Sequence, residues 1–214
     1  MSRDLFKRIS LLQICLIVAA CETPTAVELP PNRNPVEPML AKRAVVGDKF
    51  HFVTEDGREG IATVNAVSGS VIEMSSYFPS SGETCSWKEE RDTLAPWIEW
   101  TNCGSTGRIE SSRIGGSAFP LAEGKTESWK FEWTNRTGQS WPGTRRCRVD
   151  ANVNITVPAG NFDAHHVVCE DQYWLRETFY SADGLMLRFV RTRKAGNQDQ
   201  NINQLLTKFV PAET

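Results

Sequence analysis

The residues whose types could do chemistry are few: three histidines, His51, His165 and His166, and six cysteines. His165 and His166 are adjacent, so in a strand their side chains project to opposite faces and cannot share one ligand. Asp163, His165 and Cys169 fall on one face and are candidates for a metal site or a Cys–His nucleophile. A disulfide at Cys169 would remove the thiolate that either site needs. We therefore predict no catalytic residue, no metal site and no cofactor.

The carboxylates give no better catalytic candidate. Glu89-Glu90 and Glu170-Asp171 are neighbours on predicted strands, so the two members of each pair face apart. A glycoside hydrolase needs two carboxylates that converge on one bond. We favour a protein that is not an enzyme, and an envelope hydrolase is the least favoured alternative.

The first twenty residues have the layout of a secretory signal. Arg3, Lys7 and Arg8 precede an apolar run over residues 9–18, which is shorter than the about 20 apolar residues that span a bilayer. The segment Val18-Ala19-Ala20-Cys21 resembles the lipobox of bacterial lipoproteins. The resemblance implies that the chain is cut before Cys21 and that this cysteine carries fatty acyl chains such as palmitate, which anchor it in a membrane. The alternative is an ordinary signal peptide with a chance cysteine at the cut.

This reading divides the chain into three parts. We predict a signal peptide over residues 1–20, the acylated cysteine with a proline-rich tether over residues 21–40, and one β-rich domain over residues 41–210. Glu22 follows the cysteine, where the enteric lipoprotein pattern has Asp for retention in the inner membrane. That difference favours the outer membrane, facing the periplasm, with the outer face of the inner membrane as the alternative.

The charge balance excludes one class of partner. The full chain has a formal net charge of −2, and removal of residues 1–20, which carry +2, would leave −4. Proteins that bind nucleic acids usually present a strongly basic face, so we expect no nucleic-acid partner.

Alternation with a period of two predicts the elements that position these residues. Apolar residues fall at every second position from Cys147 to Val157, and Trp129, Phe131 and Trp133 repeat the pattern. Such alternation indicates strands with one buried face, and glycine-containing turns such as Ser181–Gly184 separate them. We predict an all-β, mainly antiparallel fold, one curled sheet or half-barrel of about 8–10 strands with few short helices. Residues 39–45 either form one such helix or lead into the first strand.

The four remaining cysteines support this arrangement. A hairpin folded near Leu94 places Cys85 opposite Cys103, each nine residues away, and one folded near Pro158 places Cys147 opposite Cys169, each eleven residues away. Opposed residues of antiparallel strands have Cα atoms about 4.5–5.5 Å apart, within disulfide reach. We therefore predict the disulfides Cys85–Cys103 and Cys147–Cys169, with metal binding or free thiols as the alternative.

The segment from Val157 to Ala164, with the pattern V-P-A-G-x-F-x-A, resembles a turn found in uncharacterised bacterial envelope proteins. In those proteins an aromatic strand, a short glycine turn and a strand with basic residues follow, as they do here over residues 173–191. The resemblance implies a half-barrel like those of periplasmic lipoprotein carriers, and it transfers no catalytic residue. Pro158 and Gly160 indicate first of all a hairpin turn.

Seven tryptophans suggest a candidate ligand site. Trp129, Phe131, Trp133 and Trp174 are candidates for an apolar groove on the concave face of the sheet, although core filling also explains them. Basic residues form either a patch for lipid phosphates or a solvated face: Arg145, Arg146, Arg148, Arg188, Arg191, Arg193 and Lys194. We expect a curled sheet that binds an acyl chain or docks another envelope protein, and the alternative is a structural or assembly accessory without a ligand site.

Overall fold

The alternating segments form β-strands throughout the part of the chain that is described. The computed structural model describes residues 35–194 and 201–213, which contain twelve strands and no helix. The strands are β1 (Lys49–Thr54), β2 (Glu59–Ser68), β3 (Val71–Phe78), β4 (Glu83–Glu90), β5 (Glu99–Thr101), β6 (Gly107–Gly116), β7 (Thr126–Asn135), β8 (Ser140–Val157), β9 (Gly160–Glu170), β10 (Trp174–Ser181), β11 (Met186–Arg193) and β12 (Ile202–Val210). The predicted all-β, antiparallel class is confirmed. Residues 39–45 lead into β1 without helical structure.

The sheet closes on itself, which the sequence did not predict. Each strand pairs antiparallel with the next along the chain, and β1 also pairs with β12, from Lys49 opposite Val210 to Thr54 opposite Gln204. The result is a closed barrel of twelve strands instead of a half-barrel of about 8–10. Closure leaves neither β1 nor β12 as an open edge with unpaired backbone groups.

The up-and-down order gives the barrel two distinct ends. At the end that we call the upper end, the described connections are 55–58, 79–82, 102–106, 136–139 and 171–173. At the lower end, the connections are 69–70, 91–98, 117–125, 158–159 and 182–185. The segment over residues 35–48 precedes β1 and therefore also lies at the lower end.

The lower end is closed by packed connections. Met39 is fully buried in a cluster with Leu94, Leu121 and Tyr180, and the Leu121 amide donates a 2.8 Å hydrogen bond to the Met39 carbonyl. The last residues of the segment predicted as tether, residues 21–40, thus contribute to the core. The segment before β1 and the connections over residues 91–98 and 117–125 meet beneath the barrel and form its floor.

The hairpin formed by β8 and β9 extends beyond the barrel wall. Val153 and Ile155 pack in one buried cluster with Leu187 and Leu206, and the Ala159 amide donates a 3.1 Å hydrogen bond to the Leu206 carbonyl on β12. Because β10 and β11 lie between β9 and β12 in the sheet, this contact requires the hairpin to fold back across them. The turn at Pro158 therefore shapes the hairpin as the sequence predicted and also covers neighbouring strands.

Two disulfides join the pairs that the hairpin symmetry predicted. Cys147 and Cys169 are directly opposed on β8 and β9, with Cα atoms 4.0 Å apart. Cys85 on β4 bonds Cys103, which follows β5, with Cα atoms 4.7 Å apart. The first bridge lies in the floor cluster, where Cys147 is buried, and the second lies near the upper end.

The predicted signal peptide, Cys21 and all of the tether before residue 35 lie outside the described residues. Among residues 35–194 and 201–213, no helix has the length and apolar character needed to cross a membrane.

Candidate functional site

The barrel encloses a large cavity. Its volume is about 1730 Å³, and side chains from strands all around the barrel line it. Pockets for small molecules usually measure about 300–1,000 Å³, so this cavity has room for an extended ligand. Six of the seven tryptophans line it: Trp87, Trp97, Trp100, Trp133, Trp141 and Trp174.

The cavity opens at the upper end and ends at the floor. Its lining there includes the exposed residues Thr84, Asn102 and Arg136. At the lower end it is lined by the buried side chains of Leu94 and Leu187. The exposed residues of the upper connections therefore border an opening of the cavity.

Three of the four predicted groove residues line this cavity. Phe131, Trp133 and Trp174 face it, whereas Trp129 does not line it. Trp129 is buried lower on the same face of β7, and the Arg113 guanidinium lies 5.2 Å from its ring centre. Alternation along β7 predicts that Trp129, Phe131 and Trp133 share one face. It does not predict which part of that face the connection over residues 91–98 covers.

Stacked tryptophans form much of the wall. The rings of Trp133 and Trp141 stack with centres 4.6 Å apart, and Trp100 stacks on the other side of Trp133 at 6.3 Å. Gly107 is required here, because a Cβ atom at that position would lie 2.7 Å from atoms of both Trp100 and Trp133. The stack gives the cavity a rigid aromatic surface near its mouth.

A buried ion pair lies at the floor of the cavity. The Lys42 ammonium donates hydrogen bonds to Glu89 (2.5 Å) and to the Glu90 carbonyl (2.8 Å). Burial acts to lower the pKa of Lys42, but the charge of Glu89 outweighs it, and the pKa lies above its ordinary value. Burial raises the pKa of the neighbouring Tyr180 to about 12. These groups satisfy one another, so we read them as structural.

A second charged group lies on the wall of the cavity, below the tryptophan stack. Nη1 of Arg176 lies 2.5 Å from Oδ2 of Asp171, and Nη2 of Arg145 lies 3.7 Å from the same oxygen. Burial opposes ionisation of Asp171, but the charges of Arg176 and Arg145 outweigh it and keep its pKa below the ordinary value. Burial and the adjacent Arg176 lower the pKa of Arg145 to about 9. All three residues line the cavity.

Sequence reasoning did not single out this Arg–Asp–Arg cluster. The signal was present, because Arg145 lies two residues before Cys147 and therefore shares its face of β8. The predicted basic patch is not one surface. Arg145, Arg188 and Arg191 line the cavity, whereas Arg146 and Arg148 are exposed.

The structure separates the residues that could have formed a catalytic or metal site. His165 bonds Asn152 (2.9 Å) and the Glu37 carbonyl (3.0 Å), whereas His166 bonds Glu177 (2.9 Å). Cys169 is in a disulfide and is not a thiolate. Among the described residues, no three His, Cys, Asp or Glu side chains are grouped as metal ligands.

Comparison with known proteins finds similarity only in structure, at low sequence identity. No family model matches the chain, and neither does any curated protein. The structure is similar to that of a Bacteroides fragilis NCTC 9343 protein with a YmcC-like fold, with 9% identity and a TM-score of 0.44 over 81% of this chain and 100% of that chain. It is also similar to the hypothetical lipoprotein YmcC from Escherichia coli K12, with 8% identity and a TM-score of 0.49 over 78% and 86% of the two chains. At these scores the likeness assigns no function.

Proposed function

We propose that this protein is a lipid-anchored, non-catalytic component of a bacterial envelope whose barrel binds an apolar ligand such as an acyl chain. Cys21 carries the anchor, and the outer membrane, facing the periplasm, is the proposed location. The observation that supports ligand binding is the aromatic cavity of about 1730 Å³ with its open upper end. A structural accessory without a ligand would be expected to fill this volume with side chains.

Docking of another envelope component is the second candidate. Leu40, Val45 and Val46 lie in the segment before β1, and each has about half or more of its surface exposed, at 74%, 49% and 54%. Exposed apolar residues close together can mark a site of protein contact. They lie at the lower end, away from the mouth of the cavity, so docking and ligand binding are compatible.

The ligand proposal is tested with a neutral apolar dye, N-phenyl-1-naphthylamine, whose emission rises in apolar surroundings. The protein is purified with Cys21→Ser, so that no lipid of its own competes. We expect the dye to bind and dodecanol to displace it. Thr178 lines the cavity, so Thr178→Phe should lower the affinity for both the dye and dodecanol because the larger side chain partly fills the space.

The matched control adds the same ring outside the cavity. Ser112 is exposed on β6, and Ser112→Phe should leave dye and dodecanol binding unchanged. If neither the dye nor any alkyl ligand binds the barrel without these phenylalanine substitutions, the ligand proposal is refuted. The anchor is tested separately: intact-mass analysis of the native protein should find acyl chains on Cys21, and an unmodified cysteine would refute it.

A further inference from the structure

We infer that the apolar ligand is an anionic amphiphile whose headgroup, a carboxylate or a phosphate monoester, binds the guanidinium groups of Arg145 and Arg176. This inference rests on the proposed function and names the chemical class of its ligand. The apolar part of the ligand would lie along the aromatic wall towards the mouth, and the headgroup would lie deeper, at the two arginines.

Negative charge is insufficient at the cluster. Arg145 and Arg176 both point to one oxygen of Asp171. The other oxygen of Asp171 accepts hydrogen bonds from the backbone amides of Tyr173 (2.9 Å) and Trp174 (3.0 Å). One carboxylate that is already engaged by the backbone thus faces two guanidinium groups.

Arg145 also has a buried donor without an acceptor among the described residues. The side chain of Arg145 is only 11% exposed, and its Nε has no hydrogen-bond acceptor among the described residues. The low pKa of Arg145, about 9, has the same cause, since burial and a neighbouring positive charge both disfavour its ionised form. A buried, poorly compensated charge is costly. An anion in the cavity would supply both the charge and the acceptor.

The cluster also lies beside apolar surface. The Arg191 guanidinium lies 4.2 Å from the centre of the Trp174 ring, and that of Arg176 lies 6.0 Å from it. Both arginines line the cavity, as do the tryptophan stack above and Leu187 towards the floor. Cationic groups beside a continuous apolar wall are the combination that an amphiphile with a negative headgroup requires.

The cavity as a whole is lined by more positive than negative side chains, as the cluster is. Among its described lining residues, eight are basic and five are acidic. Of the five, Glu89 is paired with Lys42 at the floor and Asp171 is in the cluster. The other three, Glu55, Asp56 and Glu83, lie at the exposed upper connections and strand ends, away from the cluster.

The test compares ligands that differ only in headgroup. Dodecanol, dodecanoate and dodecyl phosphate compete with N-phenyl-1-naphthylamine on the Cys21→Ser protein, below their micelle concentrations. We expect the two anions to bind about tenfold or more tighter than dodecanol, because hydrogen bonds to charged groups are the strong ones. Inorganic phosphate, added at increasing concentration, distinguishes a lipid headgroup from a free anion: it should reduce the advantage of the anions without displacing dodecanol.

Two variants locate the headgroup. Arg145→Gln removes the inward charge, whereas Arg146→Gln makes the same change at the next residue, which is exposed. Arg145→Gln should lower the affinity for dodecanoate about tenfold and leave the affinity for dodecanol unchanged. Arg146→Gln should change neither affinity. If Arg145→Gln does not fold, the comparison of dodecanol, dodecanoate and dodecyl phosphate on the protein with Arg145 intact still tests the headgroup site.

Each outcome separates the two proposals. Equal affinity for dodecanol and both anions would overturn the headgroup site and leave the apolar ligand in place. Binding of inorganic phosphate without any alkyl ligand would overturn the amphiphile. Failure of every alkyl ligand to displace the dye would overturn the proposed function itself.

Discussion

Removal of the Cys147–Cys169 disulfide should strongly destabilise the barrel. The bridge closes a loop with a sequence separation of 22, and loop-closure entropy for this length corresponds to about 3 kcal/mol. Cys147 is also buried against Leu94 and Tyr180, so Cys147→Ala with Cys169→Ala leaves unfilled space and costs about 1 kcal/mol more. We expect a total loss of about 4 kcal/mol, or roughly 8–16 °C in Tm for a protein of this size.

The matched control is the double substitution Cys85→Ala with Cys103→Ala. Its loop is almost as long, with a sequence separation of 18, but both cysteines are partly exposed. We expect a loss of about 3 kcal/mol from loop closure alone. Urea unfolding followed by tryptophan fluorescence gives both values. If the two pairs of substitutions cost the same, or if Cys147→Ala with Cys169→Ala costs under about 1 kcal/mol, burial of this bridge in the floor is not a source of stability.

Three further changes test other parts of the structure. Asp171→Asn keeps an acceptor for the backbone amides but leaves Arg145 and Arg176 unpaired, and should cost about 3–5 kcal/mol in urea unfolding; a loss below 1 kcal/mol would show that the cluster is well solvated. Burial lowers the pKa of His165, so the unfolded state binds the proton more tightly. Stability should be complete above the unfolded pKa of about 6.5 and fall as the pH drops below it, and His165→Gln should flatten that decline. Met39→Ala should cost about 2–5 kcal/mol and speed proteolysis before β1, and unchanged proteolysis would mean that this segment is not held by its core contact.

The sequence predicted features that depend on neighbours along the chain. Alternation predicted the strands of the β8–β9 hairpin, and the turn at Pro158 predicted its register. Equal spacing of two cysteines from a turn predicted both disulfides. Strands without an apolar face were not predictable in this way. β6 is almost entirely exposed and β5 has only three residues, which explains why the barrel has more strands than expected.

Features that depend on distant parts of the chain could not be predicted. The pairing of β1 with β12 joins residues near both ends of the described chain, and no local pattern specifies it. The candidate site has the same origin. Arg145, Asp171 and Arg176 come from β8, the turn after β9 and β10, so only the register of three strands brings their charges together.

The pairing of β1 with β12 makes the enclosed cavity depend on a strand that comes late in the described chain. A chain interrupted before Ile202 would have no twelfth strand, and both β1 and β11 would present unpaired backbone groups. Such fragments would be prone to join one another through those edges instead of holding a ligand. β12 therefore decides whether the strands form a closed container or a sheet with two open edges.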